Sequence, residues 1–442
     1  VSEFIMPIYL KGGISTTPDF LEERFDTGTK KFVSAIFLIS YVMNMLPTVL
    51  YSGAVAFNGL FRISDVFQID YWQTIWILVW IIGIIGALYT VLGGLKAVAI
   101  SDTMLGIGMF AGGILLPYFG IKYLGNGDFG EGLRTTLSAK SHLNAIGKAN
   151  DAVPFSTLFT GMLLVNLYYW GTEQYIVQQA LSSKNLAESQ KGIAVACFGK
   201  IISPLLLNLP GLIAVGLYAN LSNTAEVFPN LVRDVSPPVL TGYIAAIAFG
   251  AALTTFNAGL NSSSTLFVLN LYKPYLQQKN KTVSEKHLVT VGKRFELLVC
   301  LLAMLIAPFM FFAKNGFYSY LQMVNGFFSV PIFTIIFVGF ITKRVPAIAA
   351  KIGLVFFILT YASTQLIFDV KLHFLHVLAI VFILTVLLML IIGKLYPRQV
   401  PFQQKMNNLV NLQPWKNRHI YSAVLLLLVV LIFILFSPWG IA

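Results

Sequence analysis

The stretch Thr241–Tyr272 reads TGYIAAIAFGAALTTFNAGLNSSSTLFVLNLY, thirty-two residues without one charge. About twenty such residues of helix already cross the roughly 30 Å hydrocarbon layer of a bilayer. Its first half is plainly apolar. Its second half carries Thr254, Thr255, Asn257, Asn261, Ser262, Ser263, Ser264 and Thr265. In lipid the backbone must bond to itself, and no strand alternation is present, so the segment is a helix. Residues i, i+3 and i+4 share a helix face, which sets the carbonyl of Ala251 beside the hydroxyls of Thr254 and Thr255. Three converging neutral oxygens suit a hard cation that must bind reversibly. The same hydroxyls could equally bond the carbonyl one turn back, or serve close helix packing. From these residues alone both readings stand.

The rest of the chain repeats the apolar pattern. Of 442 residues, 57% are hydrophobic and 11% charged, against about 25% charged in a soluble domain. The fold class is therefore all-α, a polytopic helical protein of the lipid bilayer. Eleven spans are read, at about 32–59, 72–92, 102–124, 156–179, 190–219, 239–270, 291–313, 317–341, 346–368, 374–394 and 419–438. With residues 1–31 in the cytoplasm and residues at span ends counted with their flanking side, only eight of the thirty Lys and Arg fall outside, and Lys200 and Lys351 are assigned to spans. That asymmetry fixes the orientation and accounts for the net charge of +12. No loop joins a dense basic run to stacking aromatics, so nucleic acid is not expected as a partner. Cys197 and Cys300 read as small core residues, and His373 and His376 as interfacial packing rather than a metal pair. The chain begins at Val1 with VSEFIMPIYLKGG, which reads like the tail of a span whose earlier part is missing.

Further polar groups stand inside the spans. Asn166, Tyr169, Trp170 and Glu173 crowd the middle of one, in VNLYYWGTEQYIVQQ, too deep for a headgroup belt; an aromatic face with amides fits a ring-bearing polar solute. Lys200 lies about ten residues into its span, beyond snorkelling reach, and intramembrane charge is by default functional. Lys351, nearer its span end, can snorkel. Asp102, in AVAISDTMLGIG, either caps a helix or handles an ion. Gln322 is a single amide near a span start.

Four motifs in these stretches resemble the sodium/solute symporter family, of the sodium/galactose and sodium/glucose cotransporter type. They are KGGISTTPDFLEERFD (Lys11–Asp26), LYTVLGGLKAVAISD (Leu88–Asp102), NLYYWGTEQYIVQ (Asn166–Gln178) and LNSSSTLFVLNLYKPY (Leu260–Tyr275). The resemblance implies an inverted-repeat (LeuT-like) transporter core with accessory helices. It divides the chain into a cytoplasmic segment 1–31 after a missing or partial helix, three remaining helices of a first repeat at 32–124, a second five-helix repeat at 156–341, and three accessory helices at 346–438.

It also implies the site. Ala251 (carbonyl), Thr254 and Thr255 fall on the family's sodium positions, and Asp102 with Asn257 on a cation passage or second site. Asn166, Tyr169, Trp170, Lys200 and Gln322 fall on solute positions, with Tyr169 as the stacking gate. Glu173, where relatives often carry an amide, is a departure that could modify ion or solute choice. The implied activity is Na⁺-coupled import of a sugar or similar polar solute by alternating access, in a multi-pass bacterial inner-membrane protein with no cofactor beyond the coupling ion. The alternatives are a symporter for an acidic sugar, amino acid or vitamin, a transport-inactive truncated product, or a membrane sensor. No His/Asp or Ser/His pair at catalytic spacing favours an enzyme.

Overall fold

A computed structural model describes the chain except Asn150, Ala152, 219–226, Thr282, 313–316, Asp369 and 405–409, and the side chains of 92–98, Ser141 and 317–320. The described residues form helices and connections, with no strand. Among the described residues ten helices are long and apolar enough to cross a membrane, and they match ten of the eleven predicted spans within a few residues. The eleventh, 156–179, is broken: a short turn at Phe155–Phe159, a helix Gly161–Gly171 and a second helix Gln174–Leu181. The predicted inner loop after 270 is also shorter, because helix continues through Lys273–Gln278.

The polar helix Pro238–Leu266 is the hub. It packs against the Leu46–Phe61, Tyr71–Leu124 and Glu285–Ile306 helices. The run Tyr71–Leu124 is not one straight rod. Tyr89 Oη lies 2.6 Å from Ser101 Oγ, although twelve residues of straight helix would part them by about 18 Å. The run therefore folds back on itself. Its first leg follows the polar helix in parallel, with Gly86 meeting Phe256 and Asn257. The second leg runs antiparallel, with Leu105 meeting Gly250 and Gly108 meeting Ile247. Asp102 consequently sits early in the returning leg, Ala99–Leu124.

The segment leading into the Thr27–Phe61 span is tied by polar contacts that sequence periodicity does not reveal. Arg24 is fully buried and donates to the carbonyls of Gly339 and Val345 and to Thr342 Oγ1, at 3.1, 3.1 and 2.9 Å. It thereby serves the orphan carbonyls where the Ser329–Ile341 helix ends. Asp26 caps the Thr27–Ser40 helix through Thr29 and meets Lys351 Nζ at 2.6 Å. Burial pushes the Asp26 carboxyl up, but the Lys351 ammonium and the Thr29 bonds outweigh it and hold it below the usual aspartate value. The Lys351 side chain thus reaches the interface, as expected.

Helices Ala347–Ala362 and Phe374–Leu395 pair with each other and with Ser329–Ile341, and Arg418–Leu435 leans on Leu186–Leu217. Cys300 is a core residue as read. Cys197 is not: it lies on the exposed face of the Leu186–Leu217 helix, because that helix leaves one side uncovered. His376 bonds Ser156 and Thr160, and among the described residues no cluster of metal ligands forms.

Candidate functional site

On the polar helix, Thr254 Oγ1 lies 3.2 Å from the carbonyl oxygen of Ala251. Local back-bonding and ligand convergence are therefore the same geometry here. Two oxygens at that spacing can share one hard cation at bond lengths of roughly 2.3–2.6 Å. Asp102, from the returning leg of Tyr71–Leu124, faces the Thr254 side chain. Its Oδ1 is shielded from solvent and has no hydrogen-bond partner. An unmet carboxylate oxygen in an apolar surround is costly, and a cation relieves it. Thr255 is exposed beside them.

Asn257 points elsewhere. It is fully buried, with Oδ1 2.6 Å from Thr90 Oγ1 and Nδ2 unpartnered. The close approach depends on Gly86, where a Cβ would lie 2.8 Å from the Phe256 ring and 3.4 Å from Asn257 Oδ1. The structure thus brings Asp102 to Thr254 and Asn257 to Thr90, two neighbouring polar contacts on one helix.

The interrupted span carries the second group. At its break Thr172 and Glu173 leave helical geometry, and the N–H groups of both bond the carbonyl of Tyr168 at 2.8 and 2.9 Å. Gly171 permits the break to be covered, since a Cβ there would lie 2.6 Å from Ile5 of the Ile5–Gly12 helix. Irregular backbone at membrane depth is tolerated where protein buries it in this way. Tyr169 is half-buried, edge-on to Trp170 at 5.2 Å and to Tyr175 at 6.0 Å between ring centres. Asn166 is exposed one turn before it and bonds the carbonyl of Met162.

Lys200 projects from the exposed face of Leu186–Leu217. Its carbonyl, deprived of a backbone donor by Pro204, accepts instead from Ser203 Oγ at 3.0 Å. Gln322 is half-buried on the Phe317–Gly326 helix, which abuts the turn Tyr41–Met45.

Residue-pattern reasoning missed the partners of Glu173. This carboxylate is buried, and each oxygen receives one phenol: Tyr41 Oη donates to Oε1 and Tyr168 Oη to Oε2. Tyr41 lies in a local π-bulge of the Thr27–Phe61 span, a distortion common at functional sites. The signal available was general: a glutamate inside an apolar span requires donors.

Comparison with known proteins identifies the family. The sequence profile of the sodium:solute symporter family matches residues 1–356. The chain is 43% identical over 419 residues to the Escherichia coli K12 protein called uncharacterized symporter YidK, covering 94% of this chain and 73% of that one. It is 28% identical to the Vibrio parahaemolyticus sodium/glucose cotransporter, over 80% of this chain and 67% of that one. Against the sheep sodium/glucose cotransporter 1, identity is 25% and the match spans 56% of the relative's length. The fold superposes with TM-score 0.74 on a Na⁺-coupled sialic acid symporter in its substrate-bound outward-open state, at 20% identity over 91% of this chain and 81% of that one. With its profile matched over most of its length, this multi-pass membrane chain belongs to the sodium:solute symporter family.

Proposed function

We propose that the chain imports a sugar or similar polar solute together with Na⁺ by alternating access, at a bacterial inner membrane. The observation that carries this is the unpartnered Oδ1 of Asp102 beside Thr254 and the Ala251 carbonyl. One carboxylate with neutral oxygens gives a single monovalent cation both charge balance and hard ligands. Solute would contact Tyr169 and Trp170 as stacking faces, with Asn166, Lys200 and Gln322 supplying hydrogen bonds. The relatives named as sodium/glucose cotransporters support a sugar. Na⁺ binding drives the cycle to the extent that it prefers one access state over the other. The process exchanges conformations and makes or breaks no covalent bond.

The test is uptake of labelled galactose into vesicles under a Na⁺ gradient. Thr254→Ala and Thr255→Ala should each abolish most Na⁺ stimulation, because each removes a hydroxyl ligand. Stimulation equal to the unmodified chain in both variants would refute the ion assignment. A second reading, an acidic solute, is favoured by one observation: Lys200 sits on an exposed face with its ammonium available to a carboxylate. Competition by galacturonate stronger than by galactose would select it.

A further inference from the structure

Glu173 has no part in the ion and solute contacts above, yet both of its carboxylate oxygens are hydrogen-bonded. It occupies the break between Gly161–Gly171 and Gln174–Leu181, is 6% exposed, and has a phenol on each oxygen. The two bonds differ in reach. Tyr168 belongs to the same span, five residues back, whereas Tyr41 belongs to the Thr27–Phe61 span, 132 residues away in sequence. The Tyr41 bond is therefore a tie between two spans. The titratable groups facing Glu173 are the phenols of Tyr41, Tyr168, Tyr169 and Tyr175, and no cationic side chain acts on it among the described residues. Tyr41 meets Tyr175 edge-on at 6.1 Å, and Tyr175 meets Tyr169 edge-on at 6.0 Å. On the polar-helix side the nearest polar group is the uncharged hydroxyl of Ser262.

A sodium ion does not fit this place, because both oxygens already point at O–H donors. A glutamine would fill it with similar bonds and no ionic cost. What a carboxylate adds is a second charge state. We propose that Glu173 is a proton-binding site whose charge state sets the tie between the interrupted span and the Tyr41 span. Ionised, it accepts from both phenols. On taking a proton from hydronium, which leaves as water, one of its oxygens becomes a hydroxyl and can no longer be the acceptor it was, so the phenol that donated there turns away. One tie is lost, and the ring chain Tyr41–Tyr175–Tyr169 transmits the loosening to the aromatic pair at the solute position. Only this last consequence rests on the transport reading.

The decisive measurement is infrared difference spectroscopy of the purified chain in lipid nanodiscs after a pH jump. A carboxyl C=O band should grow on acidification, be lost in Glu173→Gln, and persist in Glu296→Gln, which removes a second buried carboxyl. Tyr41→Phe and Tyr168→Phe should each shift the band, since each removes one hydrogen bond. A band identical in the unmodified chain and Glu173→Gln overturns the proposal. Should that variant fail to fold, a band unmoved by both phenylalanine substitutions overturns it equally. In a second arm, Na⁺-driven galactose uptake should depend on pH in the unmodified chain and lose that dependence in Glu173→Gln. No uptake in the unmodified chain would refute the transport reading, and the infrared band would still decide the proton site.

Discussion

Asp102 and Glu173 are both carboxylates inside apolar spans, and their surroundings differ in one respect. Glu173 receives a phenol hydroxyl on each oxygen, whereas Asp102 faces Thr254 and keeps Oδ1 buried without a partner. Charge within a membrane is expensive unless it is answered by hydrogen bonds or counter-charge. At Glu173 the protein supplies the answer itself, and the carboxylate fastens two spans. At Asp102 part of the answer is withheld, next to a carbonyl and a hydroxyl that cannot compensate a full charge. A satisfied carboxylate builds structure; an unsatisfied one leaves work for a ligand.

The largest expected effect tests the satisfied member. Glu173→Ala removes the acceptor for two buried phenols, at about 1–3 kcal/mol for each group left unpaired. Thermal unfolding in detergent should show a stability loss of about 3 kcal/mol or more, while Asp102→Ala loses far less. Equal losses would break the contrast. The next effect tests the unsatisfied member. Asp102→Asn keeps the shape and removes the charge, so the Na⁺ concentration for half-maximal galactose uptake should rise about tenfold, or about 1.4 kcal/mol. The melting temperature should stay close to that of the unmodified chain. An unaltered Na⁺ requirement would mean that the vacant oxygen has no ionic role.

How much of this could be read in advance follows from the range of the interactions. Spans are local: twenty apolar residues declare themselves, and ten of eleven were placed. The pairing of Ala251 with Thr254 is also local, fixed by helical periodicity. The pattern predicts continuous helix through Thr172–Glu173 because what holds the break is distant, namely Tyr41 and the cover of Ile5 over Gly171. Asp102 could be a cap or an ion handler until the fold-back of Tyr71–Leu124 set it against Thr254. The exposure of Cys197 and Lys200 was equally hidden, since apolar composition does not say which face of a span neighbouring helices cover.

Asp26 supplies the weak end of the same scale, a carboxylate at the water boundary that caps the Thr27–Ser40 helix and pairs with Lys351 at 2.6 Å, their side chains 39% and 36% exposed. Its carboxyl lies below the ordinary aspartate value in the folded chain, so folding favours its ionised form. The stabilisation it gives is complete above the ordinary value and is lost as pH falls through the lower folded one. Solvent screening keeps the pair small, about 0.5 kcal/mol, with the cap contributing a similar amount. Asp26→Asn should therefore melt slightly earlier at neutral pH, and the gap should close in acid, where the native residue is itself uncharged. Added salt should narrow the neutral-pH gap as well, because the Lys351 part is screened. A gap that stays constant from neutral pH into acid would mean that Asp26 acts through shape alone, and the graded scale from buried node to exposed cap would then lose its lower end.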